Sequence, residues 1–152
     1  MKPIEVITND LIKKTSVEIC DEILNINRWK EFKGYSILPG IKNARFDVRT
    51  PEVLGSRINV LNTDGSSHVE EIIEWDVEKR ISLKFQEFNS PVRNLATHFI
   101  ETWEFRKSEK GTETIRRMTM YPKGFFGRMI LIPISILMKK ALAENLRQIN
   151  RM

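Results

Sequence analysis

The sequence contains a single cysteine, Cys20, and therefore cannot form an internal disulfide bond. This scarcity is typical of proteins from a reducing compartment, so a cytoplasmic location is expected. Only two histidines occur, His68 and His98, and neither lies at a spacing that builds a zinc or iron site. The Gly-x-Ser-x-Gly elbow of serine hydrolases and the glycine-rich phosphate loop are also absent. We therefore expect neither a metal ion nor a cofactor.

Glycine and proline are scarce, with seven and six in 152 residues, and 41% of the residues are hydrophobic. That composition excludes a disordered chain and predicts one domain spanning residues 1–152. The N-terminus has no apolar segment of the kind found in secretory signals. The longest apolar run, Met129 to Met138, is interrupted only by Ser135. Because a membrane-spanning helix needs roughly 20 apolar residues, this run is expected to be a core helix.

The net charge of +5 is unevenly distributed along the chain. Residues 1–76 have ten Lys or Arg against thirteen Asp or Glu, whereas residues 77–152 have fifteen against seven. Six of the basic residues lie in 123–152, with Glu144 as the one acid. Such a segment is either a solvated face or a surface for anionic lipid or an acidic partner, so transient contact with a membrane surface is one expectation. No nucleic acid is expected, because basic and acidic residues alternate and no recognition motif occurs.

The last thirty residues predict the main helix. Its first half is apolar on all sides, and from Lys139 onward apolar residues recur at helical spacing. Pro133 lies inside this segment and cannot donate a hydrogen bond. Two alternatives follow: the helix begins near Ile132 with Pro133 in its first turn, or it continues through a kink at Pro133. In either case residues 124–132 are expected to be less firmly held than the rest of the helix. They would then form a lid, or the irregularity at Pro133 would be a purely structural kink.

The rest of the chain predicts a strand, two short helices and a series of antiparallel strands. Thr15 and Glu18 have the spacing of a capping box, which places the first helix after the strand 3–12. A second short helix is expected over residues 27–32, with Trp29 and Phe32 turned inward. Alternating or β-branched segments then predict six strands between residues 43 and 121. A curved sheet of this kind must bury one face, and the long helix is available to cover it.

The chain resembles a known superfamily in three segments: TSVEICDEILNINRWKEF from Thr15, DGSSHVEEIIEWDVEKRISLKF from Asp64, and TWEFRKSEKGTETIRRMTMYPKG from Thr102. With the order of elements, these segments resemble the START-like or SRPBCC superfamily, which groups polyketide cyclases and dehydrases with lipid-transport proteins. The resemblance implies an α+β helix-grip fold, in which a seven-stranded curved antiparallel sheet wraps around a long C-terminal helix. It also implies a cavity between sheet and helix that takes a hydrophobic small molecule as partner.

The register of the last hairpin decides which residues would line such a cavity. A two-residue loop at Glu109 and Lys110 places Phe99 opposite Met120, Glu101 opposite Met118 and Trp103 opposite Arg116. A three-residue loop would instead turn Ile115, Arg117, Thr119 and Tyr121 inward. We favour the first register, because flexible methionines suit a cavity wall. The predicted ligand-binding residues are Glu71, Leu83, Phe85, Phe99, Glu101, Trp103, Arg116, Met118, Met120, Ile130 and Ile134.

Two carboxylates are the polar candidates within this set. Glu101 lies between Phe99 and Trp103 on its strand, and Glu71 lies similarly between Val69 and Ile73. A buried carboxylate needs a cation, a donor or a proton of its own, and Arg116 is the expected partner of Glu101. The pair would either anchor a ligand head or transfer protons, or it would be a structural salt bridge.

Three functions are compatible with these patterns. The predominance of apolar residues favours a carrier or binder of a lipid, quinone or polyketide-like molecule. An enzyme of the cyclase or dehydrase type would need several polar groups to converge in the cavity. A protein-interaction module would use the basic C-terminal face and have a filled cavity.

Overall fold

The computed structural model describes residues 1–152, and its seven strands form one antiparallel sheet. The strand order is β1-β7-β6-β5-β4-β3-β2, so the first strand pairs with the last. The strands are β1 (Ile4–Ile12), β2 (Ile41–Val48), β3 (Arg57–Asn62), β4 (Ser67–Asp76), β5 (Arg80–Gln86), β6 (Ala96–Ser108) and β7 (Gly111–Pro122).

Two short helices connect β1 to β2, as the sequence predicts. The first, α1, spans Ser16–Leu24 and begins with the expected capping box: the Thr15 hydroxyl accepts from the Glu18 N–H, and the Glu18 carboxylate accepts from the Thr15 N–H. The second is a 3₁₀ helix, Ile26–Glu31. The Trp29 indole N–H donates to the Ile23 carbonyl across 2.8 Å, which fixes the 3₁₀ helix against α1.

The C-terminal helix, α2, runs unbroken from Gly124 to Arg151 with Pro133 in its interior. The alternative in which the helix begins at Pro133 is therefore wrong. The turns before Pro133 are anchored by packing, because Gly127 and Leu131 are both buried. Just beyond Pro133, the Ser135 hydroxyl donates to the Ile132 carbonyl. No helix of the protein is both long enough and apolar enough to cross a membrane.

The last hairpin has the register favoured from the sequence. Phe99 pairs with Met120, Glu101 with Met118 and Trp103 with Arg116, which confirms the two-residue loop between Ser108 and Gly111. β5 then continues the same inner face, because Leu83 pairs with Glu101 and Phe85 with Phe99. The concave face of the sheet is thus set by alternation along three neighbouring strands.

The core consists of two hydrophobic clusters under the sheet. One joins α1 and strands β2 to β6 to the C-terminal turns of α2, including Leu146 and Ile149. The other joins β6 and β7 to residues 131–142 of α2, including Leu131 and Leu142. The same helix therefore packs on both clusters, and successive parts of it cover different parts of the sheet.

Candidate ligand cavity

A cavity of about 300 Å³ lies between the sheet and α2. Its wall takes residues from both core clusters, for example Leu83 and Ile149 from one and Met118 and Leu142 from the other. Of the 34 residues that line it, 20 are hydrophobic, so the cavity suits a molecule that is mainly apolar. Aromatic side chains contribute strongly: the rings of Phe88 and Phe99 have centroids 4.9 Å apart in this wall.

The structure brings eight of the eleven predicted ligand-binding residues to the cavity wall. These eight are Leu83, Phe85, Phe99, Glu101, Trp103, Arg116, Met118 and Ile134. Five of them belong to the neighbouring strands β5 and β6. Their role in binding a ligand stays a prediction.

Glu71 lies on the face of β4 opposite to the cavity, contrary to the prediction. It lies away from the cavity, where its carboxylate accepts from Arg57 Nη1 at 2.9 Å. A β-bulge between Ile72 and Glu74 shifts the alternation by one residue. Because Val69 and Ile73 flank Glu71, the sequence predicts that Glu71 faces inward, whereas Glu70 and Ile72 are the buried residues.

Met120 and Ile130 also lie outside the cavity wall. Met120 has no exposed surface and belongs to the second hydrophobic cluster, paired with Ile4 of β1. Ile130 packs against the edge of the same cluster. At both positions protein atoms fill the space that a ligand would need, because α2 lies close to β1 and β7 there.

Arg116 is the centre of a buried polar group in the cavity wall. Its Nε donates to Glu101 Oε2 at 2.8 Å, and its Nη1 donates to Asn145 Oδ1 of α2 at 2.7 Å. Its guanidinium carbon lies 4.2 Å from the centroid of the Trp103 ring. The Arg116 and Glu101 side chains are only 8% and 5% exposed, so the predicted interior contact of Glu101 with Arg116 is confirmed.

A second polar pair, His68 and Glu70, lines the same cavity and was not predicted. His68 Nε2 lies 2.8 Å from Glu70 Oε2, and the imidazole stacks on Phe85 with centroids 5.0 Å apart. Burial raises the pKa of Glu70, and the hydrogen bond from His68 opposes that rise. The neighbouring Glu101 raises the pKa further and Arg116 lowers it, so the two pairs are electrostatically coupled.

The comparisons with known proteins concern the fold. The Thermus thermophilus protein TTHA0849 superposes with a TM-score of 0.73 at 16% identity, covering 97% of this chain and 95% of that one. A START superfamily protein from Mycobacterium smegmatis gives a TM-score of 0.64 at 11% identity over 95% and 97% of the chains. The chain has the START-like helix-grip fold. Major latex-like protein 151 from Panax ginseng also shares it, with a TM-score of 0.62 at 10% identity over 95% and 98% of the chains. No family model and no curated protein matches the sequence.

Two loops beside α2 contribute exposed residues to the cavity lining, and we call this region the cavity mouth. Ile37, which is 82% exposed, and Pro91 are exposed members of the lining, and Ile134 and Leu137 supply the helix side. The loop that contains Ile37 touches α2, since Lys140 Nζ lies 5.2 Å from the centroid of the Tyr35 ring.

The cavity contains no cluster of three or more side chains that could hold a metal ion. Its buried and partly buried polar groups are a guanidinium, two carboxyl groups, an imidazole, an amide and an indole N–H, all of which can form hydrogen bonds. Sequence reasoning missed His68, Glu70 and Asn145. The first two lie on the face hidden by the bulge, and the sequence pattern does not distinguish Asn145 from other uncharged polar residues of α2, such as Gln148 and Asn150.

Proposed function

We propose that this protein binds or carries a hydrophobic small molecule, such as a lipid, quinone or polyketide-like compound, in the cavity between the sheet and α2. The observation that carries the proposal is the combination of a mainly apolar wall with the buried group Arg116, Glu101 and Asn145. An apolar wall supplies affinity, and a few placed polar groups orient a ligand.

The expected affinity is moderate. Burial of apolar surface contributes about 25 cal/mol per Å², so a ligand that buries on the order of 300 Å² gains roughly 7 kcal/mol. Association costs about 4 kcal/mol or more, which leaves a weak complex unless polar contacts add to it. The buried polar group is therefore expected to matter for affinity as well as for orientation.

The test uses the neutral fluorescent probe N-phenyl-1-naphthylamine together with Ile134→Trp. Ile134 lines the cavity from α2, so a larger ring there should fill the cavity. We expect the wild-type protein to enhance the fluorescence of the probe, and the variant to lose binding while its melting temperature is unchanged. Absence of binding by the wild type, with a lowered melting temperature of the variant, would contradict the proposal, because overpacking a filled core costs about 1–3 kcal/mol. If the wild-type protein binds the probe, native mass spectrometry of the purified protein would identify the natural ligand.

A cyclase or dehydrase activity is the second candidate, and the His68–Glu70 pair favours it. An enzyme of this kind needs polar groups that converge, and this pair lies on the same wall as Glu101 and Arg116. Glu70 would exchange protons with a bound substrate while Arg116 stabilises an oxyanion. Equal conversion of a co-purified ligand by wild type and by Glu70→Gln, or no conversion by either protein, would contradict this proposal.

We further propose transient contact with an anionic membrane surface through the first half of α2. Phe125 and Phe126 are 72% and 71% exposed, and three further exposed apolar residues follow on this helix: Met129, Ile132 and Ile136. The cations near this face are Lys123, Arg128, Lys139 and Lys140, and residues 123–143 contain no acid. Exposed aromatic residues beside cations are typical of peripheral membrane attachment.

Liposome sedimentation tests this contact. Wild-type protein should sediment with vesicles that contain phosphatidylglycerol and less with pure phosphatidylcholine. The double variant Phe125→Ser with Phe126→Ser should lose sedimentation, whereas Ile73→Ser, which changes an exposed apolar residue on β4, should not. Equal sedimentation of all three proteins would rule out the proposed face.

A further inference from the structure

The indole N–H of Trp103 has no hydrogen-bond partner although it is buried. Trp103 is 3% exposed and lines the cavity, and its Nε1 is among the few buried polar atoms of the protein without a partner. The other tryptophan of the wall, Trp29, donates its N–H to the Ile23 carbonyl. Because an unpaired buried donor is costly and rare, Trp103 needs an acceptor that the protein itself does not supply.

Arg116, whose guanidinium lies over the Trp103 ring, offers a second donor. Its guanidinium is stacked on the Trp103 ring, and only Nε and Nη1 make hydrogen bonds to the protein. A guanidinium has five N–H groups, so the two on Nη2 remain available. Two cavity-lining side chains that contact each other thus each keep a donor without a protein acceptor.

The charge of this region is already balanced. Glu101 neutralises Arg116 at 2.8 Å, and Glu70 and His68 contribute a second carboxyl group and an imidazole to the same wall. A ligand carboxylate would lie near Glu70 and Glu101, and the one cation beside them, Arg116, is already paired with Glu101. Burying such a charge is strongly unfavourable, whereas a neutral carbonyl oxygen brings lone pairs without charge.

We propose that the molecule bound in the cavity ends in a neutral hydrogen-bond acceptor, such as a ketone, quinone or ester carbonyl, held by Trp103 Nε1 and Arg116 Nη2. The proposal rests on the proposed function, because it names the ligand class of the same cavity. We therefore expect the cavity to distinguish ligands of equal chain length by their head group, so that neutral carbonyl compounds bind more tightly than carboxylates.

The experiment displaces N-phenyl-1-naphthylamine with 2-decanone or with decanoate at pH 7.5, for wild type, Trp103→Phe and the control Trp75→Phe. Trp75 lies on β4 outside the cavity wall. We expect 2-decanone to bind wild type at least tenfold more tightly than decanoate. Trp103→Phe keeps an aromatic ring but removes the donor, so its binding of 2-decanone should weaken about fivefold more than its binding of the probe. Trp75→Phe should change neither.

The outcomes separate the two proposals. If the wild type does not bind the probe, the proposed function fails. If the probe binds but decanoate binds as well as 2-decanone, or if Trp103→Phe weakens probe and ketone equally, the head-group inference is overturned and ligand binding stands. Should Trp103→Phe fail to fold, ¹⁵N-labelled tryptophan in the wild-type protein decides the question. One indole N–H resonance should move downfield on addition of 2-decanone but not on addition of the probe. If no indole N–H resonance moves in this way, the inference is overturned.

Discussion

Arg116 of β7 and Glu101 of β6 form a buried ion pair, with Nε and Oε2 2.8 Å apart, although they are not direct cross-strand partners. Glu101 pairs with Met118 and Arg116 with Trp103, so the ion pair runs diagonally across the hairpin. The long guanidinium side chain spans this diagonal, which lets it reach Asn145 of α2 as well. One side chain thus joins β6, β7 and the C-terminal helix.

The first prediction follows from the burial of this pair. Glu101→Gln should destabilise the protein by about 3 kcal/mol, because the Arg116 charge would remain buried without a counter-charge. The control is Glu104→Gln, which removes a partner of Arg117 in an ion pair whose side chains are 34% and 29% exposed. That change should cost below about 1 kcal/mol. Urea unfolding at pH 7 measures both, and equal losses would contradict the assignment of Arg116 as a buried charge.

The second prediction concerns pH and Glu70. Burial raises its pKa in the folded protein above the unfolded value of about 4.3. At a pH between the unfolded and the folded pKa of Glu70, the folded protein binds more protons than the unfolded chain. The contribution of Glu70 to the unfolding free energy is therefore largest below about pH 4.3, and it decreases as the pH rises through the folded pKa. The unfolding free energy of wild type relative to Glu70→Gln should therefore fall as the pH increases above about 4.3. A difference that is constant, or that grows with pH, would show that burial does not raise the pKa of Glu70.

The fold could be predicted from the sequence because its determinants are local. The capping box of Thr15 and Glu18, the alternation in β5 and β6 and the two-residue loop before Gly111 each depend on neighbouring residues. The register of the β6–β7 hairpin could be predicted as well, because a shift by one residue would have buried the opposite face of β7. The contact of Glu101 with Arg116 followed from that register.

The misplaced residues depend on features that only the folded chain reveals. The bulge in β4 is set by its pairing with β5, and no residue near Ile72 and Glu74 is a glycine or proline that would mark it. The continuity of α2 through Pro133 depends on the packing of Gly127 and Leu131 against distant elements. Neither property follows from a local pattern of apolar and polar residues.

The third prediction concerns Cys20. Its thiol is 1% exposed, and burial raises its pKa to about 12, with smaller contributions from Asp21 and Asp76. The thiolate is the reactive form, so Ellman's reagent at pH 8 should not react with the folded protein and should react with one equivalent in urea. In a Cys20→Ser background, Val17→Cys, at a position 45% exposed on α1, should react at once and serves as the control. Rapid reaction of native Cys20 would contradict its burial.

The last prediction concerns the start of α2. A Cβ at Gly127 would lie 2.4 Å from the Leu95 carbonyl oxygen, and this contact is with backbone that cannot rotate away. Gly127→Ala should therefore destabilise the protein by about 1–3 kcal/mol through overpacking, although alanine favours a helix by about 1 kcal/mol over glycine. Met129→Ala, at a residue 54% exposed two positions further on, is the control and should change stability little. Because the loop at Leu95 also contains Pro91 and Val92 of the cavity mouth, we expect Gly127→Ala to alter probe binding as well. Thermal unfolding and fluorescence titration measure the two effects, and a stabilised Gly127→Ala variant would show that α2 does not lie against this loop.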